Sequence, residues 1–196
     1  MPSAAFWYGV GNTGEWMQGQ MKRSSGNSEA IETLKQLARD PEAVSAYLSS
    51  QVRPEAVGNN ARIGDLFEIE NRFRVFLPHT ISPTKSHEKI EEEVYRRCVE
   101  EIDSAKALLL LADSYGIDCG WEVGYAKGTA KPIIALIETE AGLNRLREDW
   151  MVKGAVDLVL VTKEELYEIA AEDPMIRNKR LLLVDDSDIP SVLDRL

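Results

Sequence analysis

Histidine and cysteine are both scarce in this sequence of 196 residues. There are two of each, His79 and His87, Cys98 and Cys119. So few thiols do not suggest a disulfide framework or a cysteine-based metal site, and two histidines leave little material for a histidine-based one. We therefore predict that no metal is bound. The cysteine usage fits a reducing cytoplasm.

Long apolar runs and basic charge are lacking as well. No window approaches the roughly twenty apolar residues of a membrane span. The N-terminus MPSAAFWYGV lacks the basic segment and long apolar run of a secretory signal. The 23 Lys and Arg residues are outnumbered by 33 Asp and Glu residues, for a formal net charge of −10. We predict a cytoplasmic protein that binds neither membranes nor nucleic-acid polymers, although a small nucleoside, recognised locally, is not excluded.

Short apolar segments alternate with amphipathic ones along the chain, as strands alternate with helices. The run ALLLLA at 107–112 is apolar throughout, which is typical of a strand covered on both faces. This pattern predicts a doubly wound α/β fold of the flavodoxin-like or Rossmann-like kind: a mainly parallel five-stranded sheet with helices on both faces, in one domain over 1–196. The predicted strands span 4–10, 72–77, 107–112, 132–137 and 156–161, with 180–184 as a further candidate.

The remaining segments are predicted from their periodicity and breakers. A helix from residue 27 is ended by Pro41, which could itself open a second helix that buries Val44, Tyr47 and Leu48. Residues 53–71 contain proline, glycine and asparagine and are predicted to be an irregular loop. Further helices are predicted at 86–104, from about 121, at 140–152 and at 163–171.

A glycine-rich loop, Gly9-Val10-Gly11-Asn12-Thr13-Gly14, follows the first predicted strand. Its spacing matches the dinucleotide fingerprint G-x-G-x-x-G, but no acidic residue ends a second predicted strand about twenty residues on, so NAD is not expected. The loop is either an ordinary turn or one shaped to bring the backbone close to another ligand.

Asp118 and Glu122 stand in the segment DCGWEVGYAKGTAKPIIAL, where a loop turns into a helix. Both carboxylates would suit a helix start, with Asp118 as the cap and Glu122 kept ionised in the first turn. The same field would also suit a nucleophile, and Gly120 and Gly124 remove side-chain bulk where a substrate would approach. A carboxylate nucleophile beside a second carboxyl is the minimum apparatus for cleaving a glycosidic bond with retention.

This segment resembles the nucleoside 2-deoxyribosyltransferase family, in which the matching glutamate attacks C1′ of deoxyribose. The resemblance implies that Glu122 is the nucleophile, that Asp118 is its upstream aspartate, and that Gly120 lies in the pocket. The opening FWYGVGN is similar to the family's first strand and turn. It implies that Trp7, Tyr8, Gly9, Gly11 and Asn12 bind substrate.

A third similar segment is Asp149-Trp150-Met151, which resembles an asparagine-x-methionine that a neighbouring subunit inserts into the family's site. Asp149 and Met151 are therefore expected to bind substrate across a homodimer or larger homo-oligomer. The resemblance covers the first predicted strand and about 72–165, and leaves a helical or loop excursion at 24–70 unmatched. Cys98 stands where the family has the aspartate that handles the proton of the leaving base.

The function implied is cleavage or transfer at the N-glycosidic bond of a nucleoside, with a free nucleobase as a second partner and no cofactor. One alternative is a nucleoside 5′-monophosphate N-glycosidase, for which Ser82, Thr84 and Lys85 are the candidate phosphate ligands. Another is a non-catalytic nucleotide-binding or sensor domain on the same fold.

Overall fold

A computed structural model describes residues 28–40, 42–69, 72–82 and 90–196 of the chain. The predicted strand at 4–10 lies outside these residues, and so do Trp7, Tyr8, Gly9, Gly11 and Asn12. Strands and helices alternate along the described chain: α1 (28–39), β1 (Val44–Ser49), α2 (Pro54–Glu68), β2 (Phe73–Phe76), α3 (Ile90–Ser104), β3 (Ala107–Leu111), α4 (Ile117–Gly128), β4 (Ile133–Ile137), α5 (Glu140–Glu148), α6 (Trp150–Ala155), β5 (Leu158–Val161), α7 (Glu164–Glu172), α8 (Pro174–Arg177) and β6 (Arg180–Leu183).

The strands form one parallel sheet in the order β2-β1-β3-β4-β5-β6. The first five positions of this order are those of a flavodoxin-like sheet. The predicted α/β class is confirmed. The described residues contain six strands: four of the five predicted ones, the further candidate at 180–184, which forms the edge strand β6, and β1, which was not predicted as a strand.

Two apolar layers cover the sheet, one on each face. Successive side chains of a strand point to opposite faces, so Leu108 and Leu110 join the layer under α3 to α8, while Leu109 and Leu111 join the other. That second layer is closed by α1, α2 and the C-terminal residues, including Leu34, Phe67 and Leu193. Burial on both faces explains why the central strands are apolar throughout.

The second helix predicted after Pro41 is wrong, because residues 44–49 form the central strand β1. Val44, Ala46 and Leu48 face one layer and Tyr47 faces the other, which is the two-residue period of a strand. Pairing with β2 on one side and β3 on the other uses the backbone hydrogen bonds of β1 and stabilises the extended form.

The irregular loop predicted at 53–71 is also wrong, since most of it is the helix α2. Pro54 is tolerated in the first turn, where its missing N–H has no helical partner to lose. Ile63 and Phe67 are buried against the sheet, which offsets the weak helix propensity of the glycines and asparagines. A Cβ on Gly64 would lie 3.0 Å from the Leu77 side chain, so glycine permits close packing there.

Candidate active site

The carboxyl ends of β1 and β3 meet where the direction of chain winding reverses. From β1 the chain passes to β2 on one side and then crosses to β3 on the other. Ligands of doubly wound sheets bind in the crevice beyond such strand ends. Ser49 is the last residue of β1, and α4 follows β3 after a short 3-10 turn at Ala112–Ser114. The crevice between β1 and β3 is therefore the candidate site.

Glu122 lies on α4, and its carboxylate is held by two hydroxyl groups of β1. Tyr47 Oη donates to Oε1 at 2.6 Å, and Ser49 Oγ donates to Oε2 at 2.6 Å. Tyr47 and Ser49 are fully buried, and Glu122 is 8% exposed. Each carboxylate oxygen thus has a short, buried donor that fixes its direction.

We expected the field at the helix start to keep Glu122 ionised, but the structure raises the pKa of this carboxyl. Burial raises the pKa of Glu122, the hydrogen bonds from Ser49 and Tyr47 lower it, and the charge of Asp118 raises it. The net direction is upward, because desolvation disfavours the charged form more than the two donors favour it. Burial and the neighbouring Glu122 raise the pKa of Tyr47 as well, so its hydroxyl remains a donor.

The position at which α4 begins explains why the pKa of Glu122 is raised. The helix begins at Ile117, four residues before the predicted start, and its N-cap is Gly116. Asp118 is therefore exposed in the first turn and does not cap the helix, and Glu122 lies one turn further in. The helix field weakens beyond the first turn, so burial decides the pKa of Glu122. Asp118 remains the second carboxyl of the pair, at the i, i+4 position.

Asp113, another carboxyl at the end of β3, is committed to the fold. Its Oδ2 accepts from the backbone N–H of Glu138 at 2.7 Å, and its Oδ1 accepts from the Thr139 hydroxyl. A Cβ on Gly142 would lie 2.7 Å from the same Oδ1, so glycine allows the close contact. Asp113 thus joins the ends of β3 and β4 and is a poor candidate for chemistry.

Gly120 and Gly124 have open space where a side chain would be. A Cβ built on Gly120, or on Gly124, would meet no atom within 4 Å. A side chain at either position would extend into open space, as the proximity of a ligand would require.

Both cysteines lie near Glu122, in different environments. Cys98 on α3 is half-buried and interacts with the Tyr47 hydroxyl, and burial raises the pKa of its thiol. Cys119 is buried, and burial raises its pKa to about 11. Both thiols are therefore protonated near neutral pH and are poor nucleophiles.

Asp149 and Met151 lie at a second place, around Tyr115. The helix predicted at 140–152 is divided at Asp149, whose Oδ1 accepts from the backbone N–H groups of Met151 and Val152 and caps α6. Tyr115 donates to Oδ2 at 3.3 Å. Trp150 and Met151 are 76% and 85% exposed. The structure thus places Asp149 outside the partners of Glu122 in its own chain and leaves Met151 open to solvent.

Tyr47 and Ser49 are the site residues that sequence reasoning missed. They belong to the run YLS at the end of β1, which the helical reading assigned to an apolar face. A buried strand that ends in a polar residue would have been the usable signal, because strand ends line the crevice.

In the part of the chain that the structure describes, every helix is too short or too polar to cross a bilayer. The same residues contain no group of three or more His, Cys, Asp or Glu side chains that could hold a metal ion.

The sheet order and the buried, hydroxyl-held glutamate define a flavodoxin-like α/β protein with a carboxylate centre at the carboxyl ends of its strands. The sequence profile of the nucleoside 2-deoxyribosyltransferase family matches residues 46–173, and the chain belongs to that family. The match begins inside β1, so it includes residues 46–70, which the sequence resemblance leaves unmatched.

Two solved structures are similar to this one. A 2-deoxyribosyltransferase from the psychrotolerant bacterium Bacillus psychrosaccharolyticus shares 16% identity with a TM-score of 0.48, over 71% of this chain and 99% of that chain. A conserved protein from Enterococcus faecalis shares 15% identity with a TM-score of 0.47, over 78% of this chain and 98% of that chain. No functionally curated protein matches this chain.

Proposed function

We propose that this protein is an enzyme that cleaves or transfers at the N-glycosidic bond of a nucleoside or deoxynucleoside, with Glu122 as the nucleophile. Membership of the nucleoside 2-deoxyribosyltransferase family supports deoxyribosyl transfer as the general chemistry. The observation that carries the proposal is the pair of 2.6 Å hydrogen bonds that hold the buried Glu122 carboxylate at the sheet's ligand-binding edge. A glutamate that served only to start a helix would be exposed and would not need buried donors.

The proposed reaction has two steps. An Oε of Glu122 attacks C1′, the C1′–N bond breaks, and its electron pair leaves with the base. The sugar passes through an oxocarbenium-like transition state to a glycosyl ester on Glu122. Water in a hydrolase, or a nitrogen of a second base in a transferase, then attacks C1′ and restores the carboxylate. Neither step needs a metal or an organic cofactor for its balance.

The environment of Glu122 suits this role. Tyr47 and Ser49 fix the carboxylate before substrate binds, so little reorganisation accompanies the attack. Burial makes the carboxylate less well solvated, and positive charge developing at C1′ would compensate for the lost hydration. Asp118, exposed one turn away, would orient a sugar hydroxyl or guide the second nucleophile.

The proposal includes a shared site. Trp150 and Met151 are exposed apolar side chains at a helix corner, beside Asp149 and the hydroxyl of Tyr115. A second copy related by a two-fold axis would cover this corner and receive Met151 in its own pocket. This arrangement would bury apolar surface that a single chain leaves in water.

Two observations favour a non-catalytic nucleotide-binding domain as the second candidate. Burial raises the pKa of Glu122, which disfavours the ionised form that a nucleophile requires. Cys98, a weak acid with a raised pKa, occupies the position where the resemblance expects an aspartate. The 5′-monophosphate alternative has Ser82 as its one candidate ligand among the described residues, since Thr84 and Lys85 lie outside them.

A chromatographic assay with a deoxynucleoside panel, with and without a second free base, tests the proposal. The wild type should release base, and Glu122→Gln should reduce the rate by more than the roughly 10²- to 10⁴-fold attributed to proton transfer alone. Glu165→Gln, an exposed change on α7, is the matched control and should retain wild-type activity. Nucleoside binding without base release by the wild type would instead support the binding domain.

A further inference from the structure

A polar pocket lies outside the carboxyl end of β2, next to the residues that donate hydrogen bonds to Glu122. Its volume is about 300 Å³, at the lower end of the roughly 300–1,000 Å³ usual for ligand pockets. The pocket is lined by Phe76, Thr80, Ile81, Ser82, Glu93, Arg96 and Arg97.

Phe76 connects this pocket to the carboxylate centre. Its ring stacks on Tyr47 with centroids 5.7 Å apart and planes 24° apart, and the Tyr47 hydroxyl bonds Glu122. Arg97 immediately precedes Cys98, which also contacts the Tyr47 hydroxyl. A ligand whose C1′ lies at Glu122 could therefore extend a ring into the pocket beside Phe76.

The charge of the pocket is opposite to that of the chain. Arg96 and Arg97 outweigh Glu93, which gives one net positive charge in a chain of net charge −10. Arg96 pairs with Glu100, and Arg97 pairs with Glu101 at 2.7 Å, with both guanidinium side chains about half exposed. Such exposed ion pairs contribute little to stability. Each guanidinium has five N–H donors, so a ligand can also accept hydrogen bonds from it.

The shape of the lining favours a planar ring over a phosphate. Phe76 and Ile81 offer apolar surface that suits the face of a ring, and the hydroxyls of Thr80 and Ser82 suit its polar edge. The carboxylate of Glu93 would repel a phosphate dianion in the same space. A neutral ring with carbonyl oxygens accepts from the arginines without that repulsion.

We propose that this pocket binds the leaving nucleobase and selects bases that present ring carbonyls, such as uracil or thymine, with Arg96 and Arg97 donating to the carbonyl oxygens. This inference rests on the proposed function and specifies its substrate class. When Glu122 bonds to C1′, the electron pair of the C1′–N bond moves into the base, which leaves as a ring anion. The negative charge spreads to the carbonyl oxygens, where the guanidinium groups stabilise it, and water then protonates the ring nitrogen.

The position of Cys98 is consistent with anionic departure. Burial raises the pKa of its thiol, so Cys98 is too weak an acid to transfer a proton to the leaving base as a carboxylic acid would. Bases that need protonation in order to leave would therefore react slowly, and oxo bases would leave through charge stabilisation instead.

The first experiment measures base binding without catalysis. Calorimetric titration of Glu122→Gln with free thymine and free 5-methylcytosine compares two rings that differ in one carbonyl. Thymine should bind more tightly, and adding Arg96→Gln and Arg97→Gln should weaken thymine binding about 10- to 100-fold while changing 5-methylcytosine much less. Arg177→Gln, on the remote helix α8, should change neither affinity.

The second experiment measures kcat/KM for deoxyuridine and deoxycytidine in the wild type and in the double arginine variant. The variant should lose the deoxyuridine preference, again by about 10- to 100-fold. Equal binding of both bases, no base binding at all, or arginine variants that affect only deoxyuridine 5′-monophosphate would overturn the assignment. Arginine-dependent thymine binding together with a fully active Glu122→Gln would refute the nucleophile and leave the base pocket intact.

Discussion

Tyr47 donates a 2.6 Å hydrogen bond to Glu122 across 75 positions of sequence, from the central strand β1 to the helix that follows β3. Ser49 adds the second donor two residues further along the same strand. Burial raises the pKa of Glu122. The two hydroxyls lower it, because each hydrogen bond favours the ionised carboxylate. The balance between these effects sets the pH range in which Glu122 is ionised, as the proposed nucleophile must be.

Removing either hydroxyl should move the acid limb of activity to higher pH. Tyr47→Phe and Ser49→Ala each delete a donor that lowers the pKa of Glu122, so the raised value should rise further, by roughly one pH unit per hydrogen bond. A pH profile of kcat would show lost activity on the acid side and partial recovery in alkali. A pH-independent loss in both variants would contradict the proposed effect on ionisation.

Glu122→Gln should stabilise the fold most at alkaline pH. Because the folded pKa of Glu122 is raised above its ordinary value of 4.5, the stability that Glu122 contributes is fully present below about 4.5 and is lost as pH rises through the folded pKa. Glutamine does not titrate and escapes this loss. The melting temperature of the variant minus that of the wild type should therefore increase as the pH rises above about 4.5, by roughly a few °C.

The control for this measurement is Glu165→Gln. That carboxylate is exposed in the first turn of α7, so its substitution should show no such rise with pH. A melting-temperature difference for Glu122→Gln that stays constant from acid to alkali would show that burial does not penalise the ionised form.

Cys98→Asp should destabilise the protein and slow base release. The new carboxylate would lie half-buried beside Tyr47 and Glu122, where two like charges raise each other's pKa, at a cost of about 1–3 kcal/mol. Cys98→Ser, neutral and of similar size, should change stability and rate much less. Faster transfer to a second base in the aspartate variant would instead show that residue 98 takes up proton transfer.

Mixed dimers should reveal whether Met151 completes the neighbouring pocket. Glu122→Gln and Met151→Ala chains, each weakly active alone, would be unfolded together and refolded as an equal mixture. About half of the dimers would then be mixed, each with one intact site of two, so roughly a quarter of wild-type activity should return. Met151 is preferred to Asp149 because Asp149 also caps α6, and its loss would cost about 1 kcal/mol of stability.

Asp149→Asn is the companion variant, since asparagine retains the capping ability at that position. This variant removes the charge of residue 149 but keeps the N-cap of α6, so it separates an effect of the charge on activity from an effect of the cap on stability. No recovered activity in the mixture, or a chain that sediments as an active monomer, would rule out the shared site.

The strands β3, β4 and β5 were predictable because central parallel strands are apolar on both faces and need no long-range information. β1 was not, because Val44, Tyr47 and Leu48 also fit the spacing of a helix face, and only pairing with β2 and β3 decides between the two. α2 was missed for the opposite reason. Its glycines and asparagines disfavour a helix locally, and burial of Ile63 and Phe67 overrides that preference.

The same division applies to the site. Glu122, Asp118 and Gly120 could be proposed as site residues because they stand close together in one segment with a distinctive spacing. The hydroxyls that hold Glu122 were missed because they come from β1, more than seventy residues away, and the misassigned helix hid their position. Local sequence could name the carboxylate but not its ionisation, which depends on burial by the whole sheet.

Because β1 carries both donors to Glu122, the candidate site is assembled only when β1 joins the sheet during folding. This strand lies between β2 and β3 and also carries both donors to Glu122. Bringing β1 and Glu122 together closes a long segment of chain, and the entropy lost opposes this step. The hydrogen bonds from Tyr47 and Ser49 to Glu122 are therefore expected to form late in folding. Until β1 has inserted, the carboxylate has no buried partner and stays in water. In a folding intermediate that lacks β1, Glu122 would therefore have neither hydroxyl donor, and the proposed nucleophile would be held in place only in the complete sheet.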